Sequence, residues 1–414
     1  MKQFLIFMFF FIAGIYSLRA QEPKAITNLT QKIKGVLLDA DSKKPLEGAT
    51  INLLNTGSKT LSDQAGQFYF NQVPVGRQAL EITMMGYENK QVAEIVVSSG
   101  KEVSLTISLT EKISRLGEVT VLSTKNRIKP NNEFATVSAR SFSVEDTKRY
   151  PAAAFDPGRM AQNFAGVSNN GDGSNEIVVR GNSPRGVLWR LEGIEIPSPN
   201  HFGSLGNTGG AISMLSSSTM GSSDFYTGAF PAEFGNATSG AFDLNFRNGN
   251  KDKKEYSFML GLLGVEAAAE GPFKKGSQSS YLVNYRYSTV SLLEDFLDLG
   301  GVSPDYQDLS FKLNFPTTRA GTFSFFGLGG INQAVKKPVN DSTKWTDDDP
   351  NFVLDAPGKL GVAGLTHQFF ITKNSFVKTI FSVSGQSAKA VIDTLNPADQ
   401  YKKVPVGFEK DIDI

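Results

Sequence analysis

The sequence predicts a mostly β protein made of three consecutive parts: a small β-sandwich, a small mixed α/β domain, and the first strands of an incomplete antiparallel transmembrane β-barrel. Three observations predict it. Short alternating runs separated by turn residues fill Gln31 to Leu109. A stretch rich in Gly, Ser and Asn, with only short apolar runs, follows from about Ser138 to Gly249. After Asn250 the alternation lengthens, keeps period two and becomes rich in aromatic residues.

Composition supports several folded units. The 414 residues are 40% apolar and 20% charged and include 40 glycines, too apolar for a disordered chain. Lys plus Arg number 42 against 41 Asp plus Glu, so no net field draws the chain to nucleic acid, and no basic block with interleaved aromatics does so locally. The chain has no Cys, which excludes disulfides, thiolate metal sites, a cysteine nucleophile and a lipidated N-terminal cysteine. At the N-terminus Lys2 precedes a run of 15 residues, Phe4 to Leu18, ending at Arg19-Ala20-Gln21. That is short of the roughly 20 residues of a spanning helix and reads as a secretory signal peptide, residues 1–20, cleaved after Ala20. No later stretch reaches membrane-helix length free of Gly and charge, so any membrane crossing is by strands.

Residues 30–110 carry strand-like runs at Ile33 to Leu38, Ala49 to Leu54, Gln67 to Phe70, Ala79 to Met84, Val92 to Val97 and Val103 to Leu109. Turn chemistry separates them at Asp39-Ala40-Asp41, Ser62-Asp63-Gln64-Ala65-Gly66, Val73-Pro74-Val75-Gly76 and Gly86-Tyr87. The strings Gly35 to Asp39, Pro45 to Ile51, Ser62-Asp63 with Gly66 to Phe68, Val73 to Gly76 and Gly86-Tyr87 together resemble the carboxypeptidase-regulatory-like domain. The resemblance implies an Ig/transthyretin-like β-sandwich that is non-catalytic, of a type found as a periplasmic N-terminal extension in Bacteroidetes receptors.

Residues 111–135 are polar and weakly patterned, the texture of a linker. Inside them, Leu116, Gly117, Glu118, Val119, Thr120 and Val121 form a β-prone island. It is either a trailing strand or extended linker, or a TonB box, a peptide that adds as a strand to the edge of a partner protein. Its place between two domains favours the second, and it resembles the Leu-x-Glu-Val-x-Val strings of TonB-dependent receptors.

In residues 136–249, Arg140 to Tyr150 and Ala152 to Phe164 have the pattern of helical turns, and Glu176 to Arg180, Val187 to Leu191, Asp224 to Thr227 and Ala241 to Arg247 that of strands. Asp156 to Met160, Phe164 to Val167, Asn175 to Gly181, Leu188 to Ile194, Ile196 to Phe202, Gly209-Gly210, Phe230 to Gly235 and Ser239 to Phe242 fall in the order of the TonB-dependent receptor plug, which they resemble. Glu192 departs from the family's usual Asp-Gly-Ile by one methylene. Arg180, Arg185 and Glu192 are the candidate plug–barrel contacts, because a plug must meet a polar lumen; for Arg180 and Arg185 the open alternative is a solvated loop arginine.

Catalytic and metal signatures are lacking. His201 and His367 are the only histidines, with no His-Glu-x-x-His spacing. Ser183 lacks the second glycine of a nucleophile elbow. Asn170 to Glu176 has oxygen ligands at odd spacing without the full calcium-loop pattern. The expectation is no enzyme activity, no cofactor and no metal.

In residues 250–414, Leu309, Phe311, Leu313 and Phe315 fall on one face and Asp308, Ser310, Lys312 and Asn314 on the other; Tyr281, Val283, Tyr285 and Tyr287 oppose Leu282, Asn284, Arg286 and Ser288 in the same way. Further strands are expected at Thr322 to Ile331, Leu360 to Ile371 and Ser375 to Ser384, and Glu255 to Glu270 is expected to be two short strands. Short turns at Pro316 to Gly321 and Thr372 to Asn374 are expected at the periplasmic end, and the longer links Thr289 to Gln307 and Asn332 to Gly358 at the extracellular end. About six or seven strands fit, at roughly 10 residues each, against the 22 of a full transporter. The chain is therefore expected to be an N-terminal fragment.

The resemblance implies an outer-membrane transporter for energised uptake of a scarce small-molecule or oligomeric ligand, such as a siderophore, glycan, peptide or vitamin, with its N-terminal domain in the periplasm. The implied partners are TonB with its inner-membrane energising complex, outer-membrane lipid, and a surface lipoprotein. The alternative left open is an outer-membrane binding or adhesion protein without active transport.

Overall fold

A computed structural model describes residues 29–40, 42–111, 138–142, 156–169, 171, 173–203, 207–261, 264–290, 302–317, 319–337, 341–345, 352–372, 375–399 and 402–413. The expected signal peptide and the candidate TonB box, Leu116 to Val121, lie outside the described residues. The chain is nearly all β, as its alternation predicts.

The N-terminal domain packs two sheets face to face. β1 (Thr30–Asp39) lies between β4 (Gln67–Pro74), antiparallel, and β7 (Val103–Leu109), parallel. β2 (Thr50–Leu53) lies between β3 (Ser58–Leu61) and β5 (Gly76–Thr83), and β5 pairs in turn with β6 (Lys90–Val97). Ile33, Leu37, Ile51, Leu53, Phe68, Leu80, Ile82 and Leu109 alternate inward and close the core. β3 was not expected, since it is a polar edge strand, and its pairing rather than its side chains defines it. Gly66 holds the β3–β4 turn at φ +69°, where an added Cβ would stand 2.4 Å from the Leu37 carbonyl oxygen.

The central domain is organised on a five-stranded sheet in the order β12 (Ile194–Ile196), β11 (Val187–Leu191), β16 (Gly240–Leu244), β15 (Ser223–Tyr226), β8 (Ala139–Phe142). Of the helical turns expected over Arg140 to Tyr150, the first three residues lie instead in β8, in which Phe142 turns into the core, and 143–150 lie outside the described residues. Among the described residues of this domain α-helix is confined to α1 (Pro157–Ala161), started by the Asp156 carboxylate accepting from the Gly158 and Arg159 N–H groups, with Pro157 in the first turn. β9 (Val167–Asn169) pairs with β10 (Ile177–Val179), and β13 (Asn200–His201) with β14 (Ile212–Ser213).

Register gives the five-stranded sheet two unlike faces. Phe225, Phe242, Trp189 and Ile196 stand in one row, with Trp189 and Phe242 stacked at 4.2 Å, and belong to the main core. On the opposite face Ser141, Asp224, Asp243, Arg190 and Glu195 form a polar row crossing all five strands.

The third part is one antiparallel sheet in chain order: β17 (Glu255–Leu260), β18 (Gly264–Pro272), β19 (Ser280–Ser288), β20 (Val302–Pro316), β21 (Thr322–Lys336), β22 (Phe352–Phe370), β23 (Phe376–Asn396) and β24 (Lys402–Asp413). Glu255 to Glu270 does form two strands. Eight strands exceed the expected six or seven, and several exceed the expected lengths, β23 reaching 21 residues. The apolar alternation stops near Ile331 and Leu360, while backbone pairing continues past it, Asn332 facing Gly358 and Lys336 facing Leu354. The expected link Asn332 to Gly358 accordingly shrinks to 337–351. On one face Tyr285, Leu309, Phe325, Ile331, Leu365, Phe381 and Val383 are exposed; on the other Phe326, Leu328, Leu360 and Val362 join the core of the central domain, which the sheet wraps.

Gly66→Ala is expected to destabilise the N-terminal domain by at least about 1–3 kcal/mol, the cost of a left-handed non-glycine, with the clash on Leu37 added. Urea denaturation followed by tryptophan-free near-UV or NMR signals of the N-terminal domain checks this, and an unchanged midpoint would refute it.

Candidate functional site

Period two on β18, β19 and β20 turns Glu266, Glu270, Asn284, Arg286, Asp308, Ser310 and Lys312 toward the central domain. A charge in such a place must find a partner, because an unpaired buried ion costs several kcal/mol. Each of the charged ones finds it across the boundary between sheet and central domain, and together they form the candidate functional site.

Toward the end of the sheet that carries the long links, Arg286 and Asp308 face each other across β19 and β20. The guanidinium donates from Nε to Oδ1 at 2.9 Å and from Nη2 to Oδ2 at 2.7 Å, and Nη2 also reaches the Ser213 carbonyl of β14 at 2.6 Å. His201 Nε2 of β13 lies 2.9 Å from Asp308 Oδ2, with both side chains fully buried. The hairpin β13–β14 is thus held by a cluster of Arg286, Asp308 and His201. Gly330 of β21 permits the approach, since a Cβ there would stand 2.7 Å from His201 Cε1.

Nearer the tight-turn end, Glu192 and Gly193 form the two-residue turn between β11 and β12, both at positive φ, +54° and +95°. That turn favours Asn or Asp followed by Gly, so Glu192 holds a strained backbone angle. Its carboxylate Oε1 accepts from Lys312 Nζ at 2.8 Å and from the Phe246 N–H at 2.8 Å, while Lys312 also donates to the Phe246 carbonyl at 3.0 Å. Lys378 of β23 donates to the Glu192 carbonyl at 3.2 Å. At the rim, Glu270 receives both Nη atoms of Arg247, at 2.6 and 2.7 Å. Ser216 to Glu266 at 2.9 Å and Asn284 to Ser218 at 2.8 Å fill the space between.

Of the residues singled out in the sequence, Glu192 meets the sheet. Arg180 does not: its guanidinium donates to Ser138 and Thr227 of its own domain, from a φ of +51°. Arg185 is exposed on a short 3-10 turn and makes no side-chain hydrogen bond or ion pair among the described residues. His367 stacks on Phe323 and lies 2.7 Å from the Ala320 carbonyl. Ser183 caps its turn by accepting from the Arg185 N–H. Asn170 and Asp172 of the calcium-like string lie outside the described residues, and no group of metal-ligating side chains occurs among those described. Asp308, Lys312 and Arg286 were assigned to the polar faces of their strands, but their partners His201, Ser213 and Phe246 carry no sequence signal. Arg247 and Glu270 were missed; an Arg just after the last central strand and a Glu late in the second wall strand were the available hints.

The polar row of the central sheet is also strained electrostatically. Burial pushes the Asp243 carboxyl up to about 6, against Arg190, whose Nε is 4.0 Å away, and with Asp224 and Glu233 adding to the rise.

Residues 33–121 match the family model described as CarboxypepD_reg-like domain, in keeping with the resemblance of the N-terminal strings. No curated protein matches the chain. Among solved structures, the chain is similar to the siderophore receptor PirA from Pseudomonas aeruginosa, with 13% identity and a TM-score of 0.40 over 62% of this chain and 43% of that one. The siderophore receptor PiuA from Acinetobacter baumannii gives 14% identity and a TM-score of 0.38 over 63% and 38%. A type II cohesin–X-dockerin complex from Acetivibrio cellulolyticus gives 23% identity and a TM-score of 0.17 over 19% and 56%. The stretch alignable to each receptor spans less than half of that receptor's length.

In the folded chain Asp243 binds its proton more tightly than when unfolded, so its stabilisation is complete below the ordinary value of 3.8 and is lost as pH rises through about 6. Asp243→Asn is therefore expected to melt higher than the wild type at about pH 8, by the equivalent of about 1–3 kcal/mol, with the gap closing below about pH 4. Thermal melts of the purified protein across that range check it, and a gap independent of pH would contradict it.

Proposed function

We propose that the chain is the N-terminal part of an outer-membrane TonB-dependent transporter, whose central domain is a plug and whose eight-stranded sheet is the beginning of the barrel wall. The observation that carries this reading is the seating of the central domain by the buried Glu192–Lys312 and Arg247–Glu270 ion pairs and the His201–Asp308 contact against one face of an antiparallel sheet whose other face is apolar and exposed. An apolar outer face and a polar inner face on long antiparallel strands suit a lipid-facing barrel. Beside the apolar contact through Phe326, Leu328, Leu360 and Val362, the seat carries hydrogen bonds and ion pairs, which can be exchanged for water.

On this reading the N-terminal domain and the tight turns at 273–279, 317–321 and 371–375 lie in the periplasm, and a ligand enters from the long-link end. There a small polar crevice lies between Ser198, Asn200 and Gly203 of the plug and Asn332, Gly358 and Gln386 of the wall. Occupancy is signalled to the segment Leu116 to Val121, which pairs as an added strand with TonB, and the inner-membrane energising complex supplies the force. The work done on the plug is the breaking of its His201–Asp308, Ser213–Arg286, Glu192–Lys312 and Arg247–Glu270 contacts with the wall.

Deleting Leu116 to Leu122 from the protein in its native membrane is expected to abolish energised uptake while ligand binding at the cell surface persists. Uptake assays on single iron, glycan, peptide and vitamin sources, paired with surface-binding measurements, check this; uptake that survives the deletion would remove the TonB-box assignment, and binding without any uptake in the wild type would favour an adhesion protein.

A further inference from the structure

The N-terminal sandwich is docked on the tight-turn rim of the sheet by charge. Lys34, largely buried, pairs with Glu102 at 3.3 Å within its own domain and reaches out to Asp252 and to Asn250 Oδ1 at 2.5 Å. Lys253 joins Glu102 at 3.1 Å to Glu255 at 3.4 Å, and Lys251 donates to Gln67 at 2.5 Å. Burial pushes the Glu102 carboxyl up, but hydrogen bonds from Lys253 and Lys34 and their charges outweigh it and hold the carboxyl below its usual range. The attraction is therefore more than the cost of drying that carboxylate.

Glu270 has a different place in this network. Its side chain is only 3% exposed and serves three segments at once. Arg247, at the end of the central domain, grips both oxygens; the Asn250 N–H donates to Oε2 at 2.8 Å; and Lys101, from the N-terminal domain, pairs with Oε1. Lys101 is itself more than one-third exposed, and an ion pair with one exposed partner is worth little unless the other partner is fixed in position. Here the fork of Arg247 fixes it: two parallel hydrogen bonds orient the carboxylate and leave Oε1 turned to the rim.

We propose that Glu270 is a shared counter-ion that couples the docking of the N-terminal sandwich to the seating of the central domain. While Arg247 is in place the carboxylate is held ready for Lys101. When the central domain shifts, the carboxylate loses two of its hydrogen bonds and its orientation, and the sandwich loosens. By reciprocity, docking of the sandwich stabilises the seated central domain by the same free energy. The coupling rests on the contacts of this chain alone and holds whether or not the chain transports anything. If it is a transporter, movement of the central domain would be reported to the domain beside the TonB-binding segment.

The absence of native cysteine allows a clean distance measurement. Spin labels on Lys59→Cys of the sandwich and Lys275→Cys of a rim turn, both exposed, report docking by pulsed electron resonance on the full chain in detergent. The wild-type background is expected to give one narrow distance. Arg247→Ala, although Arg247 bonds nothing in the sandwich among the described residues, is expected to shift the docked-to-undocked ratio by about fivefold or more toward the undocked form, and Lys101→Ala to do the same. The two together are expected to shift it no further than either alone, because both act through one carboxylate. Glu270→Gln is expected to match the double variant, which keeps the test open if Arg247→Ala does not fold, and Arg319→Gln, an exposed residue at another tight turn of the sheet, is expected to leave the distance unchanged. An unchanged distance in both Arg247→Ala and Glu270→Gln, or additive effects of Arg247→Ala and Lys101→Ala, would overturn the proposal. None of these readouts requires uptake, so failure of the transport reading would leave them interpretable.

Discussion

Arg286, Asp308, Lys312 and Glu270 lie on the inner face of a sheet whose outer face is apolar, and strand geometry gives them no choice of side. A two-residue period commits every second side chain to the inside, so each charge placed there must be answered by a neighbouring strand, as Arg286 and Asp308 answer each other, or by the domain that fills the concavity. Removing one partner of such a pair leaves a buried charge and costs about 3–5 kcal/mol, whereas the intact pair contributes little net stability. The pairs thus specify position more than they add strength. They dictate where the central domain sits and which of its segments must face which strand.

The central domain meets this demand with backbone as much as with side chains. The Ser213 and Phe246 carbonyls and the Phe246 N–H all take part, so the hairpin β13–β14 and the end of β16 are fixed in register with the wall. Glu192 shows the accommodation most clearly. A shorter Asn or Asp would suit its left-handed backbone angle better, yet the longer side chain reaches both Lys312 and the Phe246 amide. The strain in the turn is offset by two charge-assisted hydrogen bonds at its tip. At the rim the same logic extends outward, and Glu270 brings the N-terminal domain into the same set of constraints.

Much of the fold was legible from pattern alone. Val103–Leu109 and Val187–Leu191 form strands with the expected bounds, because each is bounded by turn residues and alternates cleanly. The faces of Leu309 to Phe315 were legible for the same reason. β3 and the far halves of β21 and β22 were not, since polar residues on both sides erase the period while backbone pairing continues. Arg140 to Phe142 read as helical because the run from Arg140 lacks strict alternation; β8 stands at the edge of the sheet among the described residues, paired with β15, which weakens the demand for alternation. For the site, sequence supplied which residues face inward but not what they touch. His201 appeared as an isolated histidine with no metal spacing, and its partner Asp308 is 107 residues away. Arg180 and Arg185 drew notice as plug arginines, yet among the described residues one is satisfied locally and the other is exposed.

The central claim is that buried charge pairs fix the register in which the central domain packs on the sheet, beside the apolar contact made through Phe326, Leu328, Leu360 and Val362. Hydrogen exchange of the full chain in detergent, compared with a variant carrying Arg286→Met and Lys312→Met, tests it most directly. The amides of Asn200–His201, Ile212–Ser213 and Phe246 are expected to exchange about tenfold faster or more, corresponding to a loss of at least ~1.4 kcal/mol, while those paired between β11 and β16 keep their protection. Equal exchange at all of these amides in the two proteins would contradict the account.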